Sequence, residues 1–227
     1  MPRSLRDALA GAAERVAPNK NAQNVANTFN AYSKLEEAAA EMPRSLREAL
    51  AEVAERVASR MNAQEVGNTL NAYSKLKKAA AEMSPSLRDA LTEAAERVAP
   101  NTNAQEVANI LNAYAKLAEA AAEMPRSLRD ALAEAAERVA PNMNAQDVGN
   151  ILNAYSKLEE AAAEMPRSLR NALAEAAERV APIMNSQNVA NTTSAYSKLE
   201  EAASEMPQSL RDALTEAAHR VPPNMNA

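Results

Sequence analysis

A 41-residue unit is written five and a half times in this chain, and that period limits the fold more than any single motif does. Met1, Met42, Met83, Met124, Met165 and Met206 each open a copy. The copies therefore run 1–41, 42–82, 83–123, 124–164 and 165–205, with a half copy at 206–227. A unit this short cannot bury its own apolar face, and stacked neighbours must bury it for one another. One repeat array over 1–227 is expected. The first copy carries the same apolar stripe as the internal ones, whereas a finished solenoid has a modified terminal repeat. The chain therefore reads as an excerpt from a longer array, with uncapped ends open to end-to-end self-association; the alternative is that the last helix, Leu210 to Val221, serves as a C-terminal lid.

The first half of copy four shows why the unit is helical. Leu128, Leu132, Ala135, Ala136 and Val139 recur at helical spacing and form one stripe. Ser127 with Asp130 predicts a capping box, repeated as Ser4/Asp7, Ser45/Glu48, Ser86/Asp89 and Ser209/Asp212. Ser168/Asn171 departs from it. Pro141 closes this helix, and Ser59 replaces that proline in copy two. A second helix opens at Asn144, an N-cap residue with Asp147 in the first turn, and runs through Val148, Leu152, Tyr155 and Leu158. Two helices of about 13 and 19 residues per unit, joined by short linkers, match HEAT or armadillo repeats. The fold class expected is an all-α, right-handed αα superhelical solenoid, about 50 Å long at the usual helix spacing.

On a wheel, Val25, Phe29, Tyr32, Leu35 and Ala39 define the core side of the second helix. Gln23, Asn27, Asn30 and Lys34 fall opposite, at i, i+4, i+7 and i+11. The polar line recurs as Gln64/Asn68/Asn71/Lys75, Gln105/Asn109/Asn112/Lys116, Gln146/Asn150/Asn153/Lys157 and Gln187/Asn191/Ser194/Lys198. Only Ser194 breaks it. Neighbouring slots wander between copies: one reads Glu36, Lys77, Ala118, Glu159 and Glu200, another Asn24, Glu65, Glu106, Asp147 and Asn188. In αα solenoids the second helix lines the concave side, so stacking sets the amides in parallel rows. A carboxamide both donates and accepts, and suits an extended peptide backbone or a base edge. Two other accounts compete. The amides could bond to loops or to the next repeat and stabilise the stack, or the copies could be recent duplicates.

Other positions carry structural expectations. Arg6 and Arg15 recur in all six first helices and are expected to bridge repeats. The five tyrosines sit on the core side, with their hydroxyls expected at the rim. Gly67 and Gly149 share one slot, which a close helix contact would explain. Thr193 replaces the Phe or Leu of the other copies, making copy five the least stable by expectation. His219 takes a slot that is Glu elsewhere and reads as a solvated substitution.

Asn144 to Leu158 and its equivalents resemble the tandem repeats of the S-K-W-P family of type III secreted effectors from plant-pathogenic bacteria. Ser33-Lys34-Leu35-Glu36 stands where that family's namesake tetrapeptide would be. The resemblance implies a HEAT/armadillo-like scaffold delivered into a host cell as a virulence factor, with a host protein as partner. A fainter likeness to octotricopeptide-type RNA-binding repeats lies in the pattern from Asn21 to Thr28. The similarity of the copies also admits an engineered consensus protein.

The leading function is a non-enzymatic scaffold whose groove holds a protein or peptide segment. The alternative is single-stranded RNA binding, with Lys34, Lys75, Lys116, Lys157 and Lys198 tracking phosphates. A net charge of −5 gives no general attraction to nucleic acid or anionic membrane. With no Cys there is neither a disulfide framework nor a thiolate metal site. The sequence has no glycine-rich phosphate loop and no nucleophile paired with His, so neither catalysis nor a cofactor or metal is expected. No apolar run approaches the roughly 20 residues of a membrane span, and the start lacks a signal-peptide core, so a soluble chain is expected.

Overall fold

The computed structural model describes residues 11–13, 15, 21–33, 42–118 and 124–220. The order is α1 (Ala22–Ser33), α2 (Arg44–Val57), α3 (Ala63–Lys75), α4 (Lys77–Ala81), α5 (Pro85–Val98), α6 (Ala104–Ala118) and α7 (Arg126–Val139). It continues with α8 (Ala145–Tyr155), α9 (Glu159–Ala163), α10 (Arg167–Val180), α11 (Ser186–Tyr196), α12 (Glu200–Ser204) and α13 (Gln208–Arg220). No strand occurs among the described residues. The result is an all-α solenoid in which first helices (α2, α5, α7, α10, α13) form one layer and second helices (α1, α3, α6, α8, α11) the other.

Each first helix buries the expected stripe: Leu128, Leu132, Ala135, Ala136 and Val139 in α7, and Leu87, Leu91, Ala94, Ala95 and Val98 in α5. The repeat-opening Met42, Met83, Met124 and Met165 are buried as well. A 3₁₀ turn then leads to the second helix, as at Ala140–Asn142. There Asn62, Asn144 and Asn185 each cap reciprocally with Glu65, Asp147 and Asn188, satisfying two backbone donors at once.

The capping box expected on the first helix does not form. α7 starts directly after Pro125, whose φ of −57° and ψ of 147° hold it outside the helix, and no side chain caps it. Ser127 therefore lies within the first turn and donates instead to Glu96 of the preceding copy. Ser86–Glu55, Ser168–Glu137 and Ser209–Glu178 repeat that bond across the other seams, at 2.8–3.0 Å. Copy three, unlike copies two, four and five, has a side-chain cap, Ser84 accepting from the Leu87 N–H ahead of Pro85. Ser4 and Asp7 lie outside the described residues.

Nor does the second helix run about 19 residues. It stops at Lys75, Tyr155 and Tyr196, ψ swings to 78°, 82° and 79° at Leu76, Leu158 and Leu199, and a five-residue third helix follows. A serine just before the break donates to the carbonyl three residues back: Ser74 to Asn71, Ser156 to Asn153, Ser197 to Ser194. Such a bond offers the chain an alternative to the helical ladder. Copy three has Ala115 in that slot, and α6 runs on to Ala118.

The two arginine series divide the work expected of both. Arg97, Arg138, Arg179 and Arg220 bridge repeats, each donating to two carbonyls of the preceding copy's 3₁₀ turn. For Arg138 these are Ala99 at 3.1 Å and Thr102 at 2.7 Å. In the other series Arg47, Arg129 and Arg170 clamp their own copies, while Arg211 donates to the Ala203 carbonyl of the preceding copy. Arg129 donates to the Met124 carbonyl and pairs with Glu160 and Glu164, and Arg170 does the same with Met165, Glu201 and Glu205. Arg6 is outside the described residues.

Four of the tyrosine hydroxyls are not at the rim; Tyr32 is half-buried. Tyr73, Tyr114, Tyr155 and Tyr196 are all buried. Tyr114 Oη meets Thr92 Oγ1 at 2.8 Å, but the hydroxyls of Tyr73, Tyr155 and Tyr196 have no partner. The Thr92 slot is Ala51, Ala133 and Ala174 in those copies.

The glycine slot is tight but not full. A Cβ on Gly67 would sit 3.7 Å from the Cβ of Asn109, and one on Gly149 3.7 Å from the Cβ of Asn191, both ordinary contacts. Ala26 and Ala108 already fill the equivalent space and are buried. The double variant Gly67→Ala/Gly149→Ala should therefore gain roughly 1 kcal/mol per site from helix propensity. That corresponds to a rise in melting temperature of about 4–8 °C for a chain of this size. A melt at or below the parent's would show that the seam needs the missing Cβ.

Candidate binding surface on the second helices

Successive second helices lie against one another along most of their length, whereas successive first helices touch over short stretches. A double layer with closer spacing on one side bends toward that side. The second helices thus form the inner wall, and their polar line is presented on it.

Gln64, Gln105, Gln146 and Gln187 are exposed, as are Lys75, Lys116, Lys157 and Lys198. Asn68, Asn109, Asn150 and Asn191 are half-buried, and so are Asn71, Asn112 and Asn153, while Ser194 is exposed. In copy one, Gln23 and Asn27 are exposed and Asn30 is half-buried. Lys34 lies outside the described residues. None of these side chains enters the core. The Cβ contacts across Gly67 and Gly149 place Asn109 and Asn191 at the seams, each stem packed on the preceding helix.

A row of stabilising amides would be bonded to its neighbours. The side chains of Asn68, Asn109, Asn150 and Asn191 make no hydrogen bond among the described residues. Asn112 is different: its Nδ2 donates to the Ala108 carbonyl at 2.9 Å within α6. The heads of these four amides are thus not engaged by the stack. The acids of the wandering slot, of which the sequence places Asp147 in the first turn, do not compete for this face. Glu65, Glu106 and Asp147 turn back to cap their own helices at 2.9–3.1 Å. The Asn-x-x-acid spacing was the available signal. The Thr/Ile slot points inward, and Thr69, Ile110, Ile151 and Thr192 are fully buried.

Two open recesses flank the row. One of about 490 Å³ lies where the turn of copy three meets α3, lined by Asn62, Gln64, Arg97, Asn101 and Glu106. The other, about 340 Å³, lies between α9 and α12 and includes Lys198 and Arg170. Neither brings together a nucleophile and a base. Among the described residues no group of His, Cys, Asp or Glu is placed to hold a metal ion, and no helix is long and apolar enough to cross a membrane.

The fold and surface define a helical-repeat scaffold of the αα-solenoid class. The family model for RNA-editing substrate-binding complex 6 protein (RESC6) matches residues 3–204, and the chain belongs to that family. Among solved structures, a designed armadillo repeat protein is 16% identical over 96% of this chain and 94% of its own, with a TM-score of 0.30. No curated protein matches. The family found is not that of the S-K-W-P effectors, and these matches lend no support to virulence, type III secretion or a host partner.

Proposed function

We propose that this chain is a non-enzymatic scaffold that holds single-stranded RNA along its second-helix layer. The carrying observation is the row of unengaged amides on Asn68, Asn109, Asn150 and Asn191, repeated at each seam beside an exposed glutamine and lysine. Helical-repeat proteins that bind RNA use two or three side chains per repeat in this way. The family's name refers to a complex that binds the substrate of RNA editing, which favours RNA over the peptide that the sequence alone put first.

The net charge of −5 does not oppose this. Glu52, Glu93, Glu134 and Glu175 are exposed on the first helices, the other layer of the solenoid. A helix is about 10–12 Å across, which exceeds the roughly 8 Å screening length at physiological salt. The inner wall therefore feels its own lysines more than the outer acids.

Fluorescence anisotropy with labelled single-stranded RNA tests the reading. Binding through Lys75, Lys116, Lys157 and Lys198 should give a log–log salt slope of about −3. The variant Asn68→Ala/Asn109→Ala/Asn150→Ala should bind about 100-fold more weakly with an unchanged helical circular dichroism signal, since each lost amide contact is worth about 1 kcal/mol. No binding at low salt, or equal binding by the variant, would rule RNA out as the ligand of this face. An extended peptide would then be the occupant to test.

A further inference from the structure

We infer that the RNA held on this face is a run of a single nucleotide, met in the same way at every copy. This rests on the RNA reading above and deepens it. A repeat protein that distinguishes bases must change the side chains that touch them from one repeat to the next. Here three positions of the inner face do not change, although Ser194 replaces Asn at a fourth. Gln, Asn and Lys stand at the same three positions in copies two to five.

The other slots that vary are occupied elsewhere. Glu65, Glu106, Asp147 and Asn188 are tied to the backbone N–H of their own N-cap residues, at 2.9, 2.9, 3.1 and 3.4 Å. Thr69, Ile110, Ile151 and Thr192 are fully buried and cannot meet a ligand. Lys77 and Glu159 belong to the short third helices, past the break.

The geometry also repeats at the two glycine seams. The Cβ of Asn109 lies 3.7 Å from the Gly67 Cβ position, and that of Asn191 lies 3.7 Å from the Gly149 position, two copies further on. Asn109 and Asn191 thus start from the same point on their seams. A carboxamide presents one acceptor oxygen and one donor nitrogen. Equal amides on equal stems select equal base edges, so a ligand whose bases alternate would leave some rungs mismatched. A mismatched polar contact costs roughly 1 kcal/mol or more, and the cost accumulates along the array.

The experiment compares oligo(A), oligo(U), oligo(C) and a mixed-sequence RNA of equal length on the intact chain, by anisotropy. One homopolymer should bind at least about 10-fold tighter than the mixed sequence. If all four bind equally, RNA binding stands but is read through phosphates alone, and the inference falls. If the mixed RNA binds best, the varying turn residues Arg60, Asn101, Asn142 and Ile183 do the reading, and the inference again falls. If none binds, both readings fail together. A second variant guards against a charge artefact. Asn109→Asp converts one rung's donor into an acceptor, and should weaken the preferred homopolymer about 10-fold more than the others. Equal weakening of all would count against base reading.

Discussion

Raising the pH from about 9 to about 12 is expected to unfold this chain cooperatively, with the tyrosines ionising only as the helices are lost. Burial pushes the Tyr114 hydroxyl up to about 12, even though its bond to Thr92 and the charge of Arg88 pull the other way. Burial also raises Tyr73, Tyr155 and Tyr196, whose hydroxyls have no partner at all. The unfolded chain loses these protons near pH 10, its ordinary tyrosine range. The folded chain keeps them, so it binds more protons than the unfolded chain across that window. Stability is therefore complete below about pH 10 and falls as pH rises toward the folded values. Each tyrosine contributes up to about 1.4 kcal/mol per pH unit, and four together about 5 kcal/mol per unit. A domain holds only about 5–15 kcal/mol in total. Phenolate absorbance and far-UV circular dichroism, followed together, check this. Four tyrosines titrating near pH 10 with helicity intact would contradict their burial. The double variant Tyr155→Phe/Tyr196→Phe should move the transition upward, because it removes two of the groups that drive it.

Leu111→Thr should cost about 3 kcal/mol, although threonine is the native residue at the equivalent position 193. Leu111 is 1% exposed, between α6 and the helices on either side, and its counterparts Leu70, Leu152 and Phe29 are equally buried. Phe29 shows where this slot points: its ring centroid lies 4.5 Å from that of Tyr73 in the following copy. Threonine there would leave a cavity and a hydroxyl with no partner. Thr193 has no such burden, because it is exposed on α11. Thr193→Leu should accordingly leave stability within about 0.5 kcal/mol. Urea titration of both variants measures the contrast. Equal effects at the two positions would mean that Leu111 does not seal a seam.

The helical content, the two-layer register and the polar row were legible in the sequence because each depends on local periodicity. Leu128, Leu132, Ala135, Ala136 and Val139 had to share a face wherever the helix went, and so did Gln146, Asn150, Asn153 and Lys157. The Asn144 cap was legible for the same reason, since it and Asp147 are three residues apart. Positions that look alike in sequence were misjudged where their neighbours come from another copy. Ser127 has the spacing of a capping residue, yet its partner is Glu96, 31 residues back. Tyr155 has an amphipathic side chain that suits a rim, yet its hydroxyl is buried with no partner. Thr193 reads as a core defect, yet its slot in the last second helix faces outward.

The sequence by itself thus determined which faces are apolar, where helices begin, and that one amide row repeats with the period. Those are properties of a few consecutive residues on a helix of fixed pitch. Only the tertiary structure decided which layer lies inside, where the second helix breaks to yield a third, and which polar heads stay unengaged. Each of those depends on distances across a seam between copies, and contacts about 31–39 residues apart have no local pattern to announce them.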